Sequence, residues 1–249
     1  MKKIIFAPIT IVAATLVASS AFSTPHKPVI SKNNTCPDDM KYISGMFCTE
    51  VQQNCIKYLD PPSSKFARCQ EFAPTVCTGK KVHMDFCIDT EEHHPPDSVM
   101  PSTDVSWNQG AQECAQEGKR LCKENEWTLA CEGSEMYAYS TGYVRPSDKC
   151  NIDKLHILNS RGEFFNQSNP ITANPLCLSP FGVHDMIGNT DEFVILEKPY
   201  FSKSGVRMMS GLKGGHWMPA RNRCRPVTVG HDEAFHEVQT NMRCCTGIK

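Results

Sequence analysis

Cys224 lies in GGHWMPARNRCR, residues 214–225, with Arg223 and Arg225 on either side. Flanking guanidinium groups lower a thiol's pKa and raise its share of nucleophilic thiolate. His216 in the same stretch and His231 just beyond it supply imidazoles. Together with Cys224 they make a candidate nitrogen and sulfur set for zinc, copper or iron, although the spacing fits no known local metal motif. The other reading is that Cys224 is oxidised to a disulfide and that the arginines make surface hydrogen bonds. The chain has 14 cysteines, an even number, all beyond residue 35. In an exported chain that count favours a disulfide framework, and with it the bridged Cys224.

Export is itself a reading of the sequence. Residues 1–23 have a basic start, an apolar stretch and small residues before a cleavage site expected after Ser23, the pattern of a signal peptide. The expected location is therefore periplasmic or secreted, with no membrane span once the signal is removed. Lys and Arg number 26 against 27 Asp and Glu, a net charge of -1. Such a balance gives no basic field, so nucleic acid is not an implied partner.

The elements that must position Cys224 are few. Residues 24–97 form a cysteine-rich N-terminal part, in which Cys36, Cys48, Cys55, Cys69, Cys77 and Cys87 sit among short strands and loops. EEHHPPDSVMP reads as a proline-rich connector whose His93 and His94 are solvated. Over residues 98–249 two helices are expected. The first has Ser106 as N-cap, Trp107, Ala111, Cys114 and Ala115 at helical spacing, and Gly118 at its exit. The second lies in KENEWTLACEG and ends at Gly133. From Ser134 onward the chain is rich in Gly, Pro, Asn and Ser and reads mainly as loops and short strands. Trp107, Trp127 and Trp217 are expected in the core.

Four stretches in order, TDVSWNQGAQECAQEGKRLCKENEWTLACEG, SPFGVHDMIGNTDEFV, GLKGGHW and TNMRCC, resemble the signature of the formylglycine-generating enzyme family, the sulfatase-modifying factors. The resemblance implies an α+β fold, irregular and loop-rich, related to C-type lectin-like domains. Active members oxidise a cysteine of a target sulfatase with Cu(I) held by two cysteines five positions apart, since a soft ion prefers thiolate ligands. Aligned without a gap, those positions are Pro219 and Cys224, so the dithiol is missing and copper is not expected. His216 stands where the family has serine, Cys122 where it has proline, and Asp191 where it has an aromatic. In a second register Cys224 is a structural cysteine paired with Cys131. The resemblance also implies a bridge from Cys114 to Cys244, with the adjacent Cys245 as an alternative.

Calcium enters by the same route. Asn151, Ile152, Glu163 and Phe165 match one family calcium site, and the loop of Gly188, Asn189, Thr190 and Glu192 a second. A ligand groove is expected beside Trp217, Arg221 and Arg225. The function that follows is an exported, non-catalytic binding or structural module for a protein, peptide or glycan. The alternative is a divergent metal- or thiol-dependent oxidase that uses Cys224 and His216.

Overall fold

A computed structural model describes residues 36–65, 67–219 and 221–248. The expected signal segment, residues 1–23, lies outside them. The chain begins with β1 (Met40–Cys48), β2 (Val51–Gln52), β3 (Cys55–Tyr58), β4 (Cys69–Phe72), β5 (Val76–Cys77) and β6 (Lys81–Asp89). It continues through α1 (Trp107–Gln116), β7 (Arg120–Leu121), α2 (Glu124–Glu132), β8 (Asp191–Phe201), β9 (Arg207–Lys213), β10 (Thr240–Met242) and β11 (Cys244–Thr246).

Strands β1 and β6 pair antiparallel along their whole length, from Met40 opposite Asp89 to Cys48 opposite Lys81. Ile43 and Phe47 of β1 and Phe86 and Ile88 of β6 turn into the core. The last strand, β11, then pairs with both β6 and β7, giving a four-stranded sheet in the order β1-β6-β11-β7. The cysteine-rich N-terminal part and the C-terminal end therefore share one sheet. A second sheet has the order β10-β8-β9, with β10 parallel to β8. Its central strand is longer than short strands joined by loops would give. FVIL inside β8 is a run of apolar and β-branched residues, which fits a strand buried on both faces, and Phe193 and Val194 are fully buried.

Both helices start by capping. The Ser106 hydroxyl accepts from the Gln109 amide, and the Gln109 side chain accepts from the Ser106 amide, a reciprocal capping box. At α2, Glu126 reaches back to the Lys123 amide and also binds Arg120 at 2.6 Å. The α2 helix ends at Gly133, whose φ is +67°. A Cβ there would lie 2.7 Å from the Pro180 ring, so both conformation and space require glycine. Residues Glu126 to Glu132 of α2 are all buried, and Trp127 and Leu129 join the main core.

Seven disulfides lace these elements, and no cysteine among the described residues is free. Cys36–Cys87, Cys48–Cys77 and Cys55–Cys69 tie the N-terminal strands. Cys114–Cys244 and Cys122–Cys245 fasten α1 and the start of α2 to β11, so both adjacent cysteines are used. Cys131–Cys224 and Cys150–Cys177 hold the loops. Among the described residues no helix is long and apolar enough to cross a membrane.

Candidate functional site

Strand β9 ends at Lys213, and the chain reverses through Gly214 and Gly215, both with positive φ. A Cβ on Gly215 would come within 2.8 Å of the Asn222 amide group, which donates to the His216 carbonyl at 2.7 Å. The loop thus closes on itself, and Cys224 reaches α2 through its bridge to Cys131. Cys224 is fully buried and holds no thiol, which removes the two expectations built on one, the nucleophile and the nitrogen and sulfur metal set. Among the described residues, His216, Cys224 and His231 are also not gathered into a group of possible metal ligands. The His231 ring instead stacks on Phe235, with centroids 3.9 Å apart.

The arginines beside Cys224 turn inward, contrary to the reading of a surface pair. Arg225 makes two hydrogen bonds to the fully buried Glu132, one of them from Nε to Oε2 at 2.6 Å. Its guanidinium also lies 4.8 Å from the centre of the Phe47 ring. Arg223 lies over Phe72. Trp217 is 1% exposed, a core residue as expected, and so presents no ring to a ligand. Of the three expected groove residues only Arg221 is exposed, and its Nη2 donates to the Thr228 hydroxyl at 2.8 Å.

A cleft of about 160 Å³ lies beside this loop, lined by Asp191, Leu212, Gly214, Gly215, His216, Arg221, Pro226 and Thr228. Asp191, the first residue of β8, accepts from the Gly215 amide at 3.1 Å. Burial pushes its carboxyl up to about 7, against the partial opposing effect of that amide. Burial alone pushes the His216 imidazole down to about 4, and its Nδ1 has no hydrogen-bond partner. At mildly acid pH the cleft therefore offers a protonated carboxyl, a neutral imidazole and one guanidinium. These are groups that bind and orient a polar ligand, and there is no thiol beside them.

Two buried features went unread in the sequence. Lys213 is 1% exposed, donates to the Arg225 carbonyl at 3.1 Å and lies 5.1 Å from the centre of the Trp127 ring. Burial pushes its amine down to about 7. The second feature is the ion pair of Arg243 with Glu192, both buried. Glu192 Oε1 accepts from Arg243 Nη2 at 2.7 Å, and Oε2 accepts from Trp127 Nε1 at 2.6 Å. Each of these charges falls inside a motif, GLKGG, GNTDEF or TNMRCC, and that was the available signal.

Residues 62–245 match the sulfatase-modifying factor enzyme 1-like domain. The chain belongs to that family. Two relatives are inactive C-alpha-formylglycine-generating enzyme 2 of Bos taurus, 26% identical over 157 residues, and its counterpart of Mus musculus, 26% identical over 156. Each alignment covers 59% of this chain, which spans about half the length of these relatives (50% and 49%). Among solved structures the fold is similar to CarF, with a TM-score of 0.56 at 16% identity over 86% of this chain and 99% of that one. It is also similar to PvdO from Pseudomonas aeruginosa, with a TM-score of 0.51 at 16% identity over 84% and 94%. The irregular, loop-rich α+β architecture is thus that of the sulfatase-modifying factor family.

The residues matched to the family's calcium sites can be tested against their partners. In the first set Asn151 and Ile152 are buried, while Glu163 and Phe165 are exposed. The Glu163 carboxylate binds Arg161 at 2.9 Å and Asn159 at 3.0 Å, within its own turn. Asn151 Oδ1, however, is buried without a partner. In the second set Glu192 is spent on Arg243 and Trp127. Asn189 donates to Glu92 and accepts from Asn151 and Asn169. In that second set the Asn189 and Glu192 side-chain oxygens already face protein donors.

Proposed function

We propose that this member of the sulfatase-modifying factor family is a non-catalytic binding module that takes a polar peptide or glycan group in the cleft beside Asp191 and Arg221. The observation that carries the reading is the Cys131–Cys224 bridge, the pairing of the register in which Cys224 is structural, in a chain whose described cysteines are all bridged. A disulfide sulfur is no thiolate, and among the described residues every cysteine is bridged, which supports a reading without a copper dithiol. The relatives named as inactive support the same direction. A periplasmic or secreted location belongs to this reading, since seven disulfides persist in an oxidising compartment. Calcium in the Asn151 loop belongs to it as well, supported by the unpartnered Asn151 Oδ1.

The test is to block thiols on the native protein before reduction, map its disulfides, and incubate it with Cu(I) and a cysteine peptide of sulfatase type. No blocked cysteine and no aldehyde product are expected. A free Cys224 together with formylglycine in the peptide would refute the reading in favour of a divergent oxidase using Cys224 and His216. A peptide and glycan array then reads the cleft, where R221A is expected to lose the captured ligand while keeping its melting temperature.

A further inference from the structure

Outside the cleft one group of side chains has the makings of a metal site. Glu91 follows β6, and His184 and Asp185 precede β8. One ligand atom from each lies within 4.8 Å of the other two. The two segments are held side by side by the backbone, the His184 amide donating to the Thr90 carbonyl at 2.9 Å. Asp185 is 1% exposed and adopts a φ of +51°. Its Oδ1 accepts from the Asn174 side chain at 3.0 Å, while its Oδ2 is buried with no partner. Glu91 Oε2 and His184 Nδ1 are likewise buried and unpartnered. A native fold rarely leaves three polar atoms of neighbouring side chains so.

The charge is out of balance in the same direction. Arg243 is the buried cation nearest in effect, but its guanidinium is spent on Glu192 and on the Asp89 and His184 carbonyls. The field of Lys41 and His94 reaches Glu91 without hydrogen bonding the orphaned atoms. Glu92, next in sequence, is satisfied by Asn189 and Thr190. His184 Nε2 faces Glu91 Oε1 at 3.7 Å, and a divalent cation among the three side chains would give the buried Asp185 Oδ2 a partner.

We infer that Glu91, His184 and Asp185 bind a first-row divalent metal ion of the zinc class. One imidazole and two carboxylates suit zinc, whereas calcium takes oxygen ligands alone. Asn174 orients the Asp185 carboxylate as an outer partner. Glu91, alone of the three, also lines a cleft of about 450 Å³.

The experiment uses the full chain with its disulfides intact, freed of metal by chelator and titrated with cobalt(II) chloride by visible absorption and calorimetry. One Co2+ per chain is expected, displaced by Zn2+ but not by Ca2+, without a thiolate charge-transfer band, and with a rise in melting temperature. E91Q and H184Q should bind more than about tenfold more weakly. Glu91 and His184 are about a quarter exposed, so both variants should keep the wild-type circular dichroism spectrum. H83Q, at an exposed histidine, should bind like wild type. The inference fails if no saturable one-to-one binding occurs, if calcium displaces the ion equally well, or if E91Q and H184Q bind as wild type does.

Discussion

Asp191 is an acidic group at the start of β8, and the consequence is electrostatic. With its carboxyl raised from 3.8 to about 7, the folded protein holds a proton between about pH 4 and pH 7 that the unfolded chain has released. Stability from this group is present below about pH 4 and is lost as pH rises through 7. D191N removes the titration, so wild type should lose stability relative to the variant across that window and run parallel to it above. Urea midpoints at a series of pH values would read the effect, and parallel curves throughout would contradict it. Arg225 makes a second residue-scale prediction. R225M would leave the buried Glu132 carboxyl without its partner, at a cost of about 3–5 kcal/mol. Chemical denaturation would measure the loss, and a change below about 1 kcal/mol would mean that the pair does not hold the loop to α2.

Between elements the paired bridges of β11 are coupled. With Cys122–Cys245 intact, removing Cys114–Cys244 reopens a loop of only about ten residues, because the second bridge already holds the same strand. Each single removal, by a pair of Cys→Ala changes, should cost about 3 kcal/mol in the chain-entropy account. Removing both opens a path of about 30 residues that now closes only through Cys131–Cys224. The double removal should therefore exceed the sum of the singles by about 1 kcal/mol. Strictly additive urea midpoints would sink the argument. Helices α1 and α2 were legible in the sequence because capping and spacing are local signals. The Cys114–Cys244 bridge that the resemblance implies is present, but local spacing alone does not choose between Cys244 and Cys245, since the strand pairing that decides it joins residues more than 100 apart. The length of β8 was hidden by the Gly- and Pro-rich segments around it.

Across the whole molecule, charge was the least legible property. A doublet such as Glu91-Glu92 before HHPP looks like solvated connector, yet Glu92 is 1% exposed and His93 sits beside Ser102, Glu113 and Glu117. Segments distant in sequence cover them: Asn189 and Thr190 donate to Glu92, and the His93 amide donates to the Met242 carbonyl of β10. Local composition carries no trace of those contacts. The loop-rich character was legible in the composition from Ser134 onward, but the fold was legible only through the ordered family motifs, since its core is assembled from segments too short to show periodicity. A molecule so built should depend on its bridges as a set. Reductant should lower the urea midpoint sharply, and an unchanged midpoint would show that the apolar core suffices alone.

The placement of β11 also imposes a timetable. A chain made from its N-terminal end exposes Cys36 to Cys87 first, and their three bridges close over separations of 51, 29 and 14 residues. Cys114 and Cys122 appear next and must wait 130 and 123 residues for their partners. During that wait the sheet has a vacant lane between β6 and β7, and two thiols stand ready to take the wrong mate. Maturation is thus gated by the final strand, and an unpaired Cys114 or Cys122 marks a molecule that has not yet been finished.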